Sequence, residues 1–192
     1  SLSSTDCSRL LSGAGRSRYQ EFEVTTRHLG GERKDITVSY VWSRGLADLN
    51  NYDQFFGNLR TPLVRANEYG PIATDVRHRL MVRGTLGLAG SWSMAPVLEL
   101  RPGFPWSTVD EFQDFVGSRN RSGRLPMVRS LDLALVRPWR FRKYRVRAGL
   151  RVYNLFGRTG HRDIQNNVTS PGYGTAFNPI ERSIGVVFGS GK

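Results

Sequence analysis

Three histidines, one cysteine and a small acidic cluster are the groups in this chain that could bind a metal or move a proton. His28, His78 and His161 each lack a second ligand at zinc-like spacing such as H-x-x-x-H or H-E-x-x-H. Cys7 is the only cysteine, which excludes an internal disulfide and a thiolate cluster. Asp110, Glu111 and Asp114 lie close together but not in the D-x-D-x-D-G order of a calcium loop, so they read as a solvated patch. Ser12-Gly13-Ala14-Gly15-Arg16 lacks the Gly-Lys-Ser/Thr ending of a phosphate loop. No nucleophile–base pair can be named. The expectation is a protein that is not an enzyme, with no cofactor and no metal.

The arginines carry more information. Net charge is +12 over 192 residues, and Lys34, Lys143 and Lys192 are the only lysines. Strong basicity points first to nucleic acid or an anionic membrane surface. The arginines are spread along the whole chain instead of forming one run, which argues against nucleic acid as the partner. Several occupy alternate positions: Arg77, Arg79 and Arg83, then Arg145, Arg147 and Arg151. Two-residue spacing places side chains on one face of a strand.

The elements that position them follow from the same period. Ile36, Val38, Tyr40 and Trp42 alternate with Thr37, Ser39, Val41 and Ser43, and the beat returns at Leu131, Leu133, Leu135, at Val146, Ala148, Leu150, Val152, and at Ile184, Val186, Phe188. Seven strands are predicted: 18–28, 34–43, 75–88, 92–101, 128–136, 144–156 and 182–188. Their connections run short, long, short, long, short, long. Gly30-Gly31, Ala89-Gly90 and 137–142 make the short turns, while 44–74, 102–126 and 157–179 make long loops. Thr108-Val109-Asp110-Glu111 has capping-box spacing before Phe112, Phe115 and Val116, which predicts a short helix inside the second loop.

That alternation of tight turns and long loops is the habit of outer-membrane barrels, with turns periplasmic and loops extracellular. No stretch reaches the ~18 apolar residues of a membrane helix, but barrel strands do not need one. If apolar faces meet lipid, then Arg77, Arg79, Arg83, Asp132, Arg145, Arg147 and Arg151 line the lumen, since an arginine against hydrocarbon costs about 2 to 4 kcal/mol at the midplane. Lumenal carboxylates such as Glu99 and Asp132, with those of a plug, are the expected partners of these arginines. An electropositive path for anionic cargo is the sharper alternative. Trp42, Trp92, Trp106, Trp139, Tyr40, Tyr144 and Tyr153 near strand ends fit interfacial girdles.

Several segments are similar to a known family. Asp75-Val76-Arg77-His78-Arg79-Leu80 resembles the D-x-R-H-R strand opening of TonB-dependent outer-membrane receptors of the Oar-like type, which carry an N-terminal carboxypeptidase-regulatory-like domain. Arg101-Pro102-Gly103-Phe104-Pro105-Trp106 resembles that family's strand exit, Ser130-Leu131-Asp132-Leu133 its S-L-D strand, and Val152-Tyr153-Asn154-Leu155-Phe156 its N-L-F ending. Residues 162–167 with Ser170-Pro171-Gly172-Tyr173-Gly174 resemble its last extracellular loop. The ending 182–188 resembles the C-terminal strand whose final aromatic is read by the barrel-assembly machinery, implying an assembly signal at Ile184, Val186 and Phe188. The order of the six motifs is the family's own, over about 18–188.

The resemblance implies a barrel of about 22 strands, of which this chain supplies part of the wall. The expected organisation is a flexible or truncated N-terminal segment at 1–17, C-terminal barrel strands over 18–188 and a tail at 189–192. The chain departs from the pattern by continuing past Phe188 and by showing no plug domain, TonB box or signal peptide, so it reads as the C-terminal piece of a larger barrel. The expected class is all-β: an antiparallel transmembrane β-barrel segment of about seven strands with three long extracellular loops, in a bacterial outer membrane. Its expected partners are outer-membrane lipid, the missing plug and strands, TonB, the assembly machinery and an unknown solute. Asn51, Tyr52, Phe55, Phe112, Phe115, Asn166, Asn167 and Tyr173, aromatic or amide groups on loops, are the candidate ligand contacts. Two alternatives stay open. One is a soluble basic β-sandwich binding nucleic acid or acidic polysaccharide. The other is a structural or adhesion barrel that does not transport.

Overall fold

The computed structural model describes residues 15–31, 34–48, 68–157 and 159–191. In chain order the strands are β1 Ser17–Leu29, β2 Lys34–Ala47, β3 Gly70–Pro71, β4 His78–Gly87, β5 Ser93–Arg101, β6 Pro105–Trp106, β7 Gly123–Arg124, β8 Val128–Phe141, β9 Tyr144–Tyr153, β10 Thr159–Ile164, β11 Ala176–Ile180 and β12 Ser183–Gly191. Seven long ones form an antiparallel meander, β1-β2-β4-β5-β8-β9-β12, and β3 adds an eighth at the end of β2. The loops hold two small hairpins, β6–β7 and β10–β11. The fold is all-β, and its helical content among the described residues is the 3₁₀ turn at Ala89–Ser91 and a 3₁₀ position at Gly31.

The register explains why one period repeats. Thr26, Val38, Val82, Leu98 and Leu131 form one cross-strand row, and Leu86, Met94, Leu135, Leu150 and Val186 another. On the opposite face Glu23, Val41 and Arg79 align, as do Thr37, Arg83, Val97 and Asp132. A slip of one residue in any strand would exchange the two sets, so the alternation fixes the pairing. Proline leaves one mark on it. The β4–β5 ladder lapses between the pairs Arg83↔Val97 and Leu86↔Met94, where Pro96 has no N–H to donate, and the β5–β8 ladder runs on unbroken.

The two faces differ in shape as well as chemistry. Asp35, Thr85, Ala95, Val136, Arg147 and Gly189, from six strands, line a single hollow of about 870 Å³ on the polar face at the turn end. Two smaller hollows of about 390 Å³ each lie on the same face, one around Glu23, Ser39 and Arg79, the other around Glu21, Asp75 and Arg101. The polar face is therefore concave. The apolar face is uncovered: Ile184, Val186 and Phe188 are 70%, 79% and 72% exposed, and Phe22, Val24 and Leu150 are exposed too. Among the described residues the buried apolar side chains are Ala47, Val109, Leu125, Val128 and Ala134, and none belongs to that face. The sheet is open, with β1 and β12 as its edges.

The structure corrects the expected helix after Thr108. Val109 bridges Phe115 and Asn167 in β fashion, and Val116 N–H donates back to the Thr108 carbonyl. The Asp110 carboxylate accepts from the amides of Phe112 and Asp114, both at 2.9 Å, closing a turn. Thr108 Oγ1 is held by Ser122 and Tyr173 and so is not free to cap. Side-chain competition for backbone groups ended the helix before it could begin. Other boundaries moved both ways: β4 starts only at His78 and β9 ends at Tyr153, inside the expected 75–88 and 144–156, whereas β8 runs on to Phe141, leaving only Arg142-Lys143 as the turn, and β12 continues through Gly191, so that 189–191 pair with β9.

Candidate functional site: the loop cap and the polar face

Asp75 is the hinge pin between strands and loops. Its side chain is 1% exposed, accepts the Gly45 amide at 2.9 Å and is ion-paired with Arg124, with Arg77 at 3.8 Å. Arg124 also donates to the carbonyls of Asp75 (2.6 Å) and Gly103 (3.2 Å), so one guanidinium joins three segments. Gly103 passes so close to Leu125 that a Cβ would stand 2.1 Å from its carbonyl oxygen. Asp132 performs a similar task one strand pair away. It accepts the Asn154 amide at 2.8 Å, while Asn154 Nδ2 donates to the carbonyls of Ile180 (2.6 Å) and Gly157. Asn154 sits at φ 49°, a left-handed conformation that asparagine tolerates.

Above these anchors the loops interlock. Ser107 Oγ donates to Asn120 Oδ1 at 3.0 Å and accepts the Asn120 amide at 2.7 Å, and Asn120 Nδ2 donates to the Pro71 carbonyl. Arg119 donates to the Ala47 carbonyl, and its amide donates to Glu68. Burial pulls this guanidinium below its usual value, opposed by the charges of Glu68 and Asp48. The second and third loops meet through Val109, whose amide donates to the Asn166 carbonyl and whose carbonyl accepts from Val168, both at 2.9 Å. Tyr173 closes the contact with its hydroxyl 2.6 Å from Thr108 Oγ1 and its ring edge-on to Trp106 at 5.9 Å. Most of the buried polar residues among those described are in this cap, and nearly all are satisfied as burial demands.

The chain matches no protein-family model, no curated protein and no solved structure.

The candidate ligand contacts fare differently. Asn51, Tyr52 and Phe55 lie outside the described residues. Asn166 and Asn167 spend their side chains inside the cap, Asn166 on the Ser107 carbonyl and Asn167 on the amide and hydroxyl of Thr169. Phe115 is half-buried against the Val109 bridge, and Tyr173 holds Thr108. Phe112 is 71% exposed at the tip of its turn and presents its ring to solvent.

On the polar face the register brings Arg79, Arg83, Asp132, Arg145, Arg147 and Arg151 together, with Arg77 just before β4. Glu99 pairs with both Arg79 and Arg101 at 3.2 Å. Asp132 instead serves the backbone of Asn154 and the Ser130 hydroxyl. Among the described residues no His, Cys, Asp and Glu cluster could hold a metal, and the His78 ring is instead bonded to Tyr40 at 2.8 Å. Sequence reasoning missed Asp75, Ser107, Arg119, Asn120 and Asn154 as site-building residues. Asp75 and Asn154 stood inside motifs quoted for other reasons; the rest act through contacts more than ten residues away in sequence, which no local pattern signals.

Proposed function

We propose that this chain is C-terminal barrel wall of an outer-membrane receptor of the TonB-dependent type, contributing strands and ligand-facing loops to uptake of a large or scarce solute. The observation that carries the membrane part is the uncovered convex apolar face opposite a concave, charged one. Soluble monomers rarely leave apolar patches larger than a few hundred Å² exposed. A soluble sandwich would need a second apolar layer over this face, and the described residues supply none. Strands of nine to fourteen residues are long enough to cross a bilayer at a tilt, which takes about 9 to 11. The edges β1 and β12 await the remaining strands, because an open edge left in hydrocarbon strands its amides and carbonyls. Outer-membrane lipid, plug, TonB and assembly machinery are the partners this reading requires.

The receptor part rests on the six sequence motifs in family order. Both parts are tested on the native polypeptide. It is expected to stay with urea-washed outer membranes, and after reconstitution its tryptophan fluorescence should be quenched by lipids brominated on their chains. Sequencing it by mass spectrometry should find plug-domain peptides upstream. Recovery in the soluble fraction overturns the membrane part; an inserted polypeptide with no plug upstream overturns the receptor part alone.

A further inference from the structure

The turn end of the sheet is uneven in charge. The β8–β9 hairpin carries Arg137, Arg140, Arg142, Lys143, Arg145 and Arg147, and no Asp or Glu occurs between Asp132 and Asp163. The neighbouring β4–β5 turn, from Gly87 to Ser93, has no charge at all. Ion pairs among the described residues involve Arg27, Arg77, Arg79, Arg101 and Arg124, not these six cations. Arg140 and Arg145 even stand directly opposite each other, a like-charge pair that repels. The counter-charge has to come from outside the hairpin.

What surrounds the cations identifies its source. Trp139, Phe141 and Tyr144 are exposed on the apolar face at its turn end. The Arg137 guanidinium lies 4.4 Å from the Trp139 ring centre and 5.8 Å from that of Trp92, and the Lys143 ammonium lies 5.8 Å from the Tyr144 ring. Amphipathic rings interleaved with cations, at the border of an apolar surface, match the headgroup layer of a bilayer. A nucleic-acid strand would satisfy the charges and leave the adjoining apolar face bare.

We infer that the β8–β9 hairpin tip is a docking site for the phosphate-bearing headgroups of anionic phospholipid, with the rings at headgroup depth and Arg137, Arg142 and Lys143 meeting the phosphates. The inference rests on the membrane reading above, which brings a leaflet to this end of the sheet. Each cation near an anionic surface strengthens association about fivefold, and salt weakens it.

The test uses the full-length protein reconstituted in vesicles and compares motional restriction of spin-labelled phosphatidylglycerol with that of spin-labelled phosphatidylcholine. The wild type should prefer phosphatidylglycerol, less so at high salt. The variant R137Q/R142N/K143Q should lose the preference, while R121Q/R162Q, on the loops at the other end, should keep it. The variant R142N/K143Q leaves Arg137 and its ring contacts intact and should retain an intermediate preference, which separates lost charge from lost structure. Equal restriction of both lipids, or a preference that survives the triple substitution, overturns the docking site and leaves the membrane reading standing. A protein that restricts neither lipid, stays soluble and binds polynucleotide with steep salt dependence overturns both.

Discussion

At the scale of single residues, buried polar groups hold the loop end together around a few buried apolar side chains such as Val109 and Leu125. Asp75 is the clearest case, since its carboxylate answers both the Arg124 guanidinium and the Gly45 amide. Asp75→Asn keeps the shape and removes the charge, and is expected to cost about 2 kcal/mol in thermal or denaturant unfolding and to open the loops to protease. Phe112 marks the opposite extreme. Its ring is exposed and only its backbone amide is hydrogen-bonded, so Phe112→Ser should leave stability unchanged within about 0.5 kcal/mol while lowering solute uptake. Unchanged uptake would remove Phe112 from the ligand contacts. Asn166, Asn167 and Tyr173 are committed to neighbours, so substituting them changes loop structure along with any ligand effect.

At the scale of elements, two turn and strand positions carry visible constraint. Arg142 opens the two-residue β8–β9 turn at φ 53°, where a side chain costs roughly 1 to 2 kcal/mol relative to glycine. Arg142→Gly should therefore raise stability by about 1 kcal/mol in denaturant titration. Gly149 lies mid-strand in β9 with the Leu135 carbonyl oxygen 2.1 Å from where its Cβ would be. A glycine at such a point lets the sheet bend sharply. Gly149→Val should prevent β8 and β9 from closing, seen as loss of protease-resistant protein in membranes. The strands were legible in the sequence to within a few residues because one face of each is uniformly apolar. The helix at 108–116 was misjudged because its capping signal is local, whereas the partners of Thr108, Ser122 and Tyr173, arrive from across the chain.

At the scale of the whole molecule the decisive variable is the solvent of the convex face. Val186, opposite Leu150, is 79% exposed on β12. In a bilayer Val186→Arg should cost about 2 to 4 kcal/mol if the site lies near the midplane, and in water close to nothing. Folding equilibria measured in lipid vesicles and, for the same variant, in detergent-free buffer separate the two. A negligible cost in vesicles would place Val186 away from hydrocarbon.

The amino-acid sequence by itself determined the strands, their antiparallel order and the division into apolar and arginine-bearing faces. Those follow from a period of two and from turn residues, and both are local. Tertiary structure decided what local patterns do not encode. It made the polar face the concave one, joined Asp75 to Arg124 across 49 residues, and bound three loops into one cap through Ser107, Asn120 and Tyr173. Such contacts depend on where the sheet brings distant segments together, and only the folded chain fixes that distance.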